Sequence, residues 1–282
     1  MKDNNRIYSE RLKNSVFISG SARSGTTIIG KIIATFENVE YFFEPPLLFE
    51  LFSKIEPKES YKNLIRTYLY EELYMGAISG RAINLRKQDD SCIYNYKTEE
   101  EIKNRLNSDA RKKDLLKIKN KIAFKIPDFV YKEELIKKSL PETKIVRMVR
   151  NPEETINSLL EKKWFSDEGI RRPDLIWPNQ AHKDYFVPHW LEEKDYDSWG
   201  LECEVNRCLI YYITQTEYRK YLGAIIDYSF LINNPIKVIS ELCKKLNYQF
   251  GPLTLKMLQT IKPRTTTNNI LPKNMNTNYY KM

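Results

Sequence analysis

The segment at residues 16–33 constrains the fold of this chain more than any other, and its sequence is VFISGSARSGTTIIGKII. The apolar run at 16–18 predicts a strand, and the isoleucines after the glycine-bearing loop have the spacing of a helix. In such a strand–loop–helix unit, backbone N–H groups of the loop and the helix N-terminus face a bound anion. The segment therefore predicts an α/β fold with a phosphate-binding site where the first strand ends.

The glycine spacing in this loop is almost that of a P-loop, G-x-x-x-x-G-K-[ST]. Gly20 and Gly25 occupy the two glycine positions. Thr27 occupies the hydroxyl position, but Thr26 stands where a P-loop has lysine, and the nearest cation is Arg23. A nucleoside triphosphatase needs that lysine on the β- and γ-phosphates. The sequence therefore favours an anion that binds without a metal, and a P-loop kinase or NTPase is kept as an alternative.

A second candidate for anion binding is Arg150, which follows the strand predicted at 144–149. The carboxyl ends of parallel strands are where open α/β sheets bind ligands. A nucleoside triphosphatase would need a carboxylate at such a position to hold Mg²⁺. Asn151 and Glu154 have the spacing of a capping box, so a helix is predicted to begin after Asn151. Ser158 lies two turns into this helix, and its side chain is predicted to converge with that of Arg150 on one phosphate.

Together these segments resemble the PAPS-dependent sulfotransferases, from about residue 15 to residue 255. A third segment, YSFLINNP at 228–235, is similar to the Y-E-D-L-x-x-x-P segment of that family. The resemblance implies a P-loop-like three-layer fold, with a central parallel sheet flanked by helices. It also implies that the loop binds the 5′-phosphosulfate of PAPS, that the arginine and serine of the second segment bind its 3′-phosphate, and that the tyrosine of the third lies near the adenine. The implied PAPS-binding residues are Arg23, Ser24, Gly25, Thr26, Thr27, Arg150, Ser158 and Tyr228.

This chain departs from the cytosolic branch of the family in two segments. The cytosolic steroid and phenol enzymes have a histidine in a K-T-H segment, where this chain has Lys125, Ile126 and Pro127. They also carry a late R-K-G-x-x-G segment that closes on the 3′-phosphate. Here Arg264, in KPRTTT at 262–267, is the candidate for that role, and a plain C-terminal tail is the alternative. The chain therefore resembles the carbohydrate and bacterial branches more closely than the steroid and phenol branch.

Glu44 is the candidate for the general base that takes the proton of the acceptor hydroxyl, a role that contributes about 10²–10⁴-fold. It lies in YFFEPP at 41–46, which resembles the F-E-P-L stretch of carbohydrate sulfotransferases. Pro45 is expected to hold Glu44 in extended geometry, and partial desolvation raises the pKa of a carboxyl group toward a useful value. The alternative is that Glu44 caps the following helix. Lys125 is expected to contact the bridging oxygen of the breaking bond, and Arg23 to neutralise the 5′-phosphate and the developing charge.

Composition narrows the class of protein further. The 282 residues, 41% of them hydrophobic, suit one large α/β domain over 1–282. The net charge of +9 suits an anionic donor, and no basic stripe with interleaved aromatic residues indicates a nucleic-acid partner. The four cysteines lack metal-binding spacing and are expected to be reduced thiols. The sequence has no apolar leader and no apolar run of about 18 residues, so a cytoplasmic bacterial enzyme without a transmembrane anchor is expected.

Alternating strand and helix patterns predict a parallel sheet with two acceptor-side insertions, at 46–121 and 163–200, and a C-terminal tail at 263–282. The aromatic residues of the second insertion are expected either to stack on sugar rings or to form its own small core. The acceptor is expected to be a hydroxyl of a carbohydrate or glycan, and the alternative is a lipid or a small secondary-metabolite alcohol. Strands are predicted at 15–19, 40–43, 122–125, 144–149 and 224–227. Helices are predicted at 26–36, 46–54, 60–76, 98–118, 131–138, 152–162, 201–222 and 235–246.

Overall fold

A five-stranded parallel sheet forms the centre of the protein. The computed structural model describes residues 10, 12–54, 59–107, 112–175, 178–216 and 223–262. Its strands are β1 (Val16–Gly20), β2 (Val39–Phe43), β3 (Lys121–Lys125), β4 (Lys144–Val149) and β7 (Ala224–Asp227). They lie in the order β2-β3-β1-β4-β7, and every neighbouring pair is parallel. Each matches a predicted strand to within two residues at either end.

Helices cover both faces of this sheet, because the central strand is apolar on both sides. Val16 and Ile18 of β1 belong to one buried cluster, and Phe17 between them belongs to another on the opposite face. The predicted three-layer α/β fold is therefore confirmed. The helices are α1 (Thr26–Ala34), α2 (Pro46–Lys54), α3 (Glu59–Thr67), α4 (Met75–Ile78), α5 (Glu99–Leu106), α6 (Lys112–Leu115), α7 (Glu133–Ser139), α8 (Pro152–Leu160), α9 (Tyr196–Leu201), α10 (Glu204–Thr216), α11 (Tyr228–Asn233), α12 (Pro235–Leu246) and α13 (Thr254–Gln259).

Three of the predicted helices differ from the structure. The helix predicted at 60–76 contains a π-helical stretch, Tyr68–Tyr74, between α3 and α4. The continuous helix predicted at 98–118 is wrong, because α5 ends at its cap, Asn107, and α6 is a separate turn. The helix predicted at 201–222 is also wrong in its start, because the chain leaves the helical conformation at Glu202 and begins α10 at Glu204.

The insertion at 163–200 contains a hairpin that its sequence does not predict. Its strands are β5 (Asn179–His182) and β6 (Tyr185–Pro188), and they pair in antiparallel register. None of the described helices is long and apolar enough to cross a membrane. Three predictions fall on residues outside the described ranges: those for Arg264, for the 263–282 tail and for the last six residues of the 201–222 helix.

Arg207 of α10 holds this insertion together from inside. Its side chain is 1% exposed. The guanidinium donates hydrogen bonds to the backbone carbonyls of Phe165, Trp199 and Gly200, at 2.9, 2.9 and 3.1 Å. It also pairs with the Asp167 carboxylate at 2.9 Å. A buried charge is stable only when it is paired and hydrogen-bonded, and here the insertion's own backbone supplies most of those partners.

Candidate active site

The loop between β1 and α1 has the backbone conformation of an anion-binding cradle. Gly20, Arg23 and Gly25 all have left-handed backbone, with φ of 140°, 68° and 97°. The Ser24 N–H and hydroxyl both donate to the carbonyl of Ser21, at 3.2 and 2.6 Å, which closes the turn. Residue 25 at the N-cap of α1 is a glycine and has no capping side chain, the first turn of α1 has no acidic residue, and no other side chain of the described ranges caps the helix. The N–H groups at its start are therefore available to a ligand rather than to a side chain.

Glycine is required at residue 25 by its surroundings as well as by its φ. A Cβ at Gly25 would lie 2.5 Å from Cδ2 of Tyr228 and 3.2 Å from Cε of Met148. Real side chains do not approach this closely, so the tyrosine ring packs directly on the loop backbone. The first and third sequence motifs, which are about 200 residues apart, therefore meet in one place.

The second motif meets the loop at Arg23. The Arg23 Nε donates to the Ser158 hydroxyl at 3.0 Å, and Arg150 Nη1 donates to the Arg23 carbonyl at 3.0 Å. The Arg150 guanidinium also lies over the Tyr228 ring, with Cζ 4.5 Å from the ring centroid. Arg150 and Ser158 thus both contact Arg23, and no direct bond between these two residues is found within the described ranges.

The predicted capping box at the start of α8 is only half formed. The Asn151 side chain accepts a hydrogen bond from the Glu154 N–H at 3.2 Å, which is the predicted cap. The Glu154 carboxylate does not return to the cap backbone but accepts a hydrogen bond from Arg150 Nε at 2.9 Å. A carboxylate therefore occupies one edge of the arginine that is the candidate for phosphate binding.

Glu44 and Lys125 form an ion pair beside the loop. Lys125 Nζ bonds to Glu44 Oε1 and lies 3.2 Å from the Thr27 hydroxyl and 4.1 Å from the centroid of the Phe43 ring. The Lys125 side chain is 2% exposed and that of Glu44 is 34% exposed. Burial lowers the pKa of Lys125 below its usual range, and the nearby Glu44 carboxylate opposes that shift. The pair lies where the neighbouring strands β2 and β3 end.

Two expectations about Glu44 are wrong. Its backbone is left-handed, with φ of 47°, and not extended as the following proline suggested. Its N–H donates to the Lys125 carbonyl at 3.0 Å, so a long-range bond fixes a conformation that local sequence disfavours. Within the described chain its carboxylate bonds to Lys125 and not to the start of α2, so the capping alternative is also wrong.

A cavity of about 280 Å³ joins the loop to the insertion. Charged and polar residues of the loop and of the strand ends line part of the cavity, and apolar side chains of the insertion line much of the remainder. Of the first insertion, 46–121, only Phe49 is among the described lining residues. The lining comprises Ala22, Arg23, Thr26, Thr27, Glu44, Phe49, Lys125, Pro127, Asp128, Trp164, Phe165, Leu175, Pro178, Pro188, His189 and Trp190.

Two further lining residues, Asp128 and His189, are functional candidates outside the three motifs, and of these Asp128 was missed by sequence reasoning. Asp128 Oδ1 accepts a hydrogen bond from the Ala22 N–H at 2.8 Å, and burial raises the pKa of Asp128 to about 6. His189 Nδ1 lies 2.7 Å from the Tyr131 hydroxyl, and burial lowers the pKa of His189 to about 3. The one sequence signal for Asp128 is its place directly after Pro127, just beyond a strand at the carboxyl edge of the sheet. His189 is one of the two histidines of the sequence, both of which lie in the insertion.

The chain belongs to the Sulfotransferase family, whose sequence model matches residues 15–192. The matched range includes the cradle, the Glu44–Lys125 pair, both residues of the second motif and most of the insertion. The protein is therefore a sulfotransferase enzyme with an α/β fold. No curated protein sequence matches the chain.

Three solved structures are similar to this chain at 14–18% sequence identity. The sulfotransferase domain of the Synechococcus PCC 7002 olefin synthase is 14% identical, with a TM-score of 0.45, over 92% of this chain and 81% of that chain. The sulfotransferase domain from the curacin biosynthetic pathway is 18% identical, with a TM-score of 0.43, over 88% and 78%. Retinol dehydratase in complex with androsterone and the inactive cofactor PAP is 15% identical, with a TM-score of 0.33, over 92% and 66%.

Proposed function

We propose that this sulfotransferase transfers a sulfuryl group from PAPS to a hydroxyl group of its acceptor. The observation that carries the proposal is the convergence of the three motifs on the loop before α1. Arg23 bonds to Ser158 and to Arg150, and the Tyr228 ring packs on Gly25. PAPS would supply the activated sulfuryl group and leave as PAP. The cradle fits the 5′ end of such a donor, because free N–H groups and cations bind anions.

Each motif then has a separate part in donor binding. The loop, from Arg23 to Thr27, would hold the 5′-phosphosulfate, with Ser24 shaping the turn through its two bonds to Ser21. Arg150 and Ser158 would hold the 3′-phosphate. Tyr228 packs on Gly25 and under Arg150, which places its ring where a base could stack. Residue 264 lies outside the described ranges, so its role in closing on the 3′-phosphate stays a prediction.

The Glu44–Lys125 pair supplies the residues for the transfer itself. The Glu44 carboxylate opens onto the cavity and would accept the proton of the acceptor hydroxyl. The Lys125 ammonium lies between Glu44 and the Thr27 hydroxyl, where it would stabilise negative charge on the bridging oxygen. Arg23 would offset charge at the 5′-phosphate. A buried cation beside a developing anion acts strongly, because few water molecules screen it.

The acceptor enters from the insertion side of the cavity, and its lining favours an apolar alcohol. Leu175, Pro178 and Pro188 offer no side-chain hydrogen bonds to a sugar. Trp190 is 7% exposed and packs edge-on against Phe165 and Trp199, so the insertion aromatics largely form a core of their own. A lipid or small secondary-metabolite alcohol therefore fits this end better than the carbohydrate expected from sequence.

One observation supports a carbohydrate acceptor. The Trp164 ring lines the cavity and lies 5.9 Å from Cζ of Arg23, measured to the ring centroid, so it could stack on a sugar placed beside the loop. The two acceptor classes are separated by turnover with PAPS of a medium-chain alkanol, a simple phenol and a neutral oligosaccharide. Faster turnover of the oligosaccharide than of both apolar alcohols would reverse the preference.

The donor is tested by thermal unfolding with PAP in EDTA, set against ATP with Mg²⁺. A ligand at 100 times its Kd stabilises the folded state by about 2.7 kcal/mol. We expect PAP to raise the unfolding temperature without metal, and Mg·ATP to have little effect. A shift with Mg·ATP and none with PAP would favour the kinase or NTPase alternative.

The base is tested by Glu44→Gln, which keeps an oxygen for Lys125 but removes the basic carboxylate. We expect turnover to fall by about 10²–10⁴-fold, with PAP affinity nearly unchanged. Glu99→Gln is the matched control, because Glu99 lies in the first turn of α5 and outside the cavity. Unchanged turnover of the Glu44 variant with PAP still bound would remove Glu44 as the base.

A further inference from the structure

We propose that Asp128 takes up a proton when the anionic donor binds and then donates a hydrogen bond from its carboxyl group to an oxygen of the donor's 5′-phosphosulfate. Asp128 is thereby assigned as a donor-binding residue in addition to those of the three motifs. The proposal rests on the proposed function, since it requires that the cradle binds PAPS and its product PAP.

Asp128 is fixed to the back of the cradle by its backbone and its side chain. Its N–H donates to the Gly20 carbonyl at 3.0 Å, and its Oδ1 accepts from the Ala22 N–H at 2.8 Å. The Tyr211 hydroxyl bonds to the same Oδ1. The Asp128 backbone is left-handed, with φ of 66°, so these bonds hold an otherwise disfavoured conformation. These bonds therefore fix the carboxyl group next to the loop that would hold the donor.

The second oxygen of this carboxyl group, Oδ2, has different surroundings from Oδ1. No hydrogen-bond partner for Oδ2 is found within the described chain, and Asp128 lines the cavity together with Arg23, Thr26 and Thr27. An ionised carboxylate only accepts hydrogen bonds, and the oxygens of a phosphosulfate also only accept. Ionised Asp128 would therefore repel the donor, whereas the neutral acid can donate an O–H to it.

The surrounding charges allow this change near neutral pH. Burial raises the pKa of Asp128 to about 6 and the Glu44 carboxylate adds to the rise, while the bonds from Tyr211 and Ala22 and the charge of Lys125 oppose it. An anion bound in the cradle would raise the pKa of Asp128 further. The titratable or charged groups that face it are Arg23 of the loop, Glu44 after β2, Lys125 of β3, His189 of the insertion and Tyr211 of α10.

Two of these neighbours do not titrate in the same range. Burial lowers the pKa of His189 to about 3 and raises the pKa of Tyr211 far above its usual value, so both stay neutral between pH 5 and 8. A proton taken up with the donor in this range is therefore assigned to Asp128 by comparison with a variant that lacks only this carboxyl group.

The test is calorimetric titration with PAP, in pairs of buffers that differ in ionisation enthalpy, from pH 6 to pH 8. Because the phosphates of PAP themselves titrate near pH 6, the measured quantity is wild type minus Asp128→Asn. We expect wild type to take up as much as one proton more than this variant. We also expect its Kd to rise by up to about 50-fold between pH 6 and pH 8 relative to the variant, the limit reached when only the neutral acid binds.

Two further variants sharpen the assignment. Asp114 lies on α6 and forms an exposed ion pair with Lys117. The Asp114→Asn variant should therefore behave as wild type. Tyr211→Phe removes a bond that stabilises the ionised carboxylate, so it should move the midpoint of proton uptake to higher pH.

Equal proton uptake and equal pH dependence in wild type and Asp128→Asn would overturn the proposal while leaving PAP binding intact. An unchanged midpoint in Tyr211→Phe would contradict the assigned hydrogen-bond geometry. Failure of wild type to bind PAP at any pH would instead overturn the proposed donor, and the proposal with it.

Discussion

Substitution of Gly25 by alanine tests the contact that joins the first and third motifs. The φ of 97° costs any L-residue about 1–2 kcal/mol in the left-handed region. The new Cβ would also lie 2.5 Å from Cδ2 of Tyr228, a ring that is 7% exposed and cannot retreat without repacking. Displacing that ring from the Arg150 guanidinium loses a cation–π contact of about 0.5–2 kcal/mol. We therefore expect Gly25→Ala to lower the free energy of unfolding by about 1.5–4 kcal/mol.

The assay is urea unfolding followed by calorimetric titration with PAP, carried out as a double-mutant cycle with Tyr228→Ala. Removing the ring makes room for the Cβ, so in that background Gly25→Ala should cost only the backbone term of about 1–2 kcal/mol. PAP affinity should fall in each single variant, because both disturb the cradle. An equal stability cost in both backgrounds would refute the close contact, and unchanged PAP affinity would refute the placement of the donor at this loop.

Three further perturbations have defined outcomes. Glu154→Gln removes the carboxylate at Arg150 Nε, so PAP should bind up to about fivefold more tightly by titration, as expected for a partly exposed pair. Glu133→Gln leaves the buried Arg147 without its carboxylate and should cost about 3–5 kcal/mol in urea unfolding, whereas apolar replacement of both partners should cost far less. Asp128, with its pKa raised to about 6, keeps a proton in the folded state that the unfolded chain releases near pH 4. Its contribution to the free energy of unfolding should thus fall by about 2–3 kcal/mol between pH 4 and pH 6, measured as wild type minus Asp128→Asn.

The sequence was most informative where structure is determined locally. The first strand, the loop and α1 are predictable because apolar spacing and two glycines at fixed separation define them within about 20 residues. Arg150 was also placed correctly, since the apolar run before it and the cap after it locate a strand end. These features depend on neighbours in the chain and need no knowledge of the tertiary fold.

The remaining features of the site depend on contacts between distant residues. The left-handed backbone of Glu44 is held by the carbonyl of Lys125, 81 positions away, and overrides the preference set by the following proline. The bond between Asp128 and Ala22 spans 106 positions. In the hairpin of the insertion, the strand NQAH has little strand propensity of its own, and its partner YFVP is only four residues long and ends in proline. No local sequence pattern predicts these contacts.

Within the insertion, the residues that fix the path of the chain differ from those that line the acceptor side of the cavity. The guanidinium bonds mostly to backbone carbonyls, which every residue type possesses, so the path of the chain depends little on which side chains it carries. Leu175, Pro178 and Pro188 line the cavity and lie outside the buried aromatic cluster around Trp199. Natural variation or deliberate redesign at these three positions can therefore remodel the acceptor pocket while the framework that presents it stays in place.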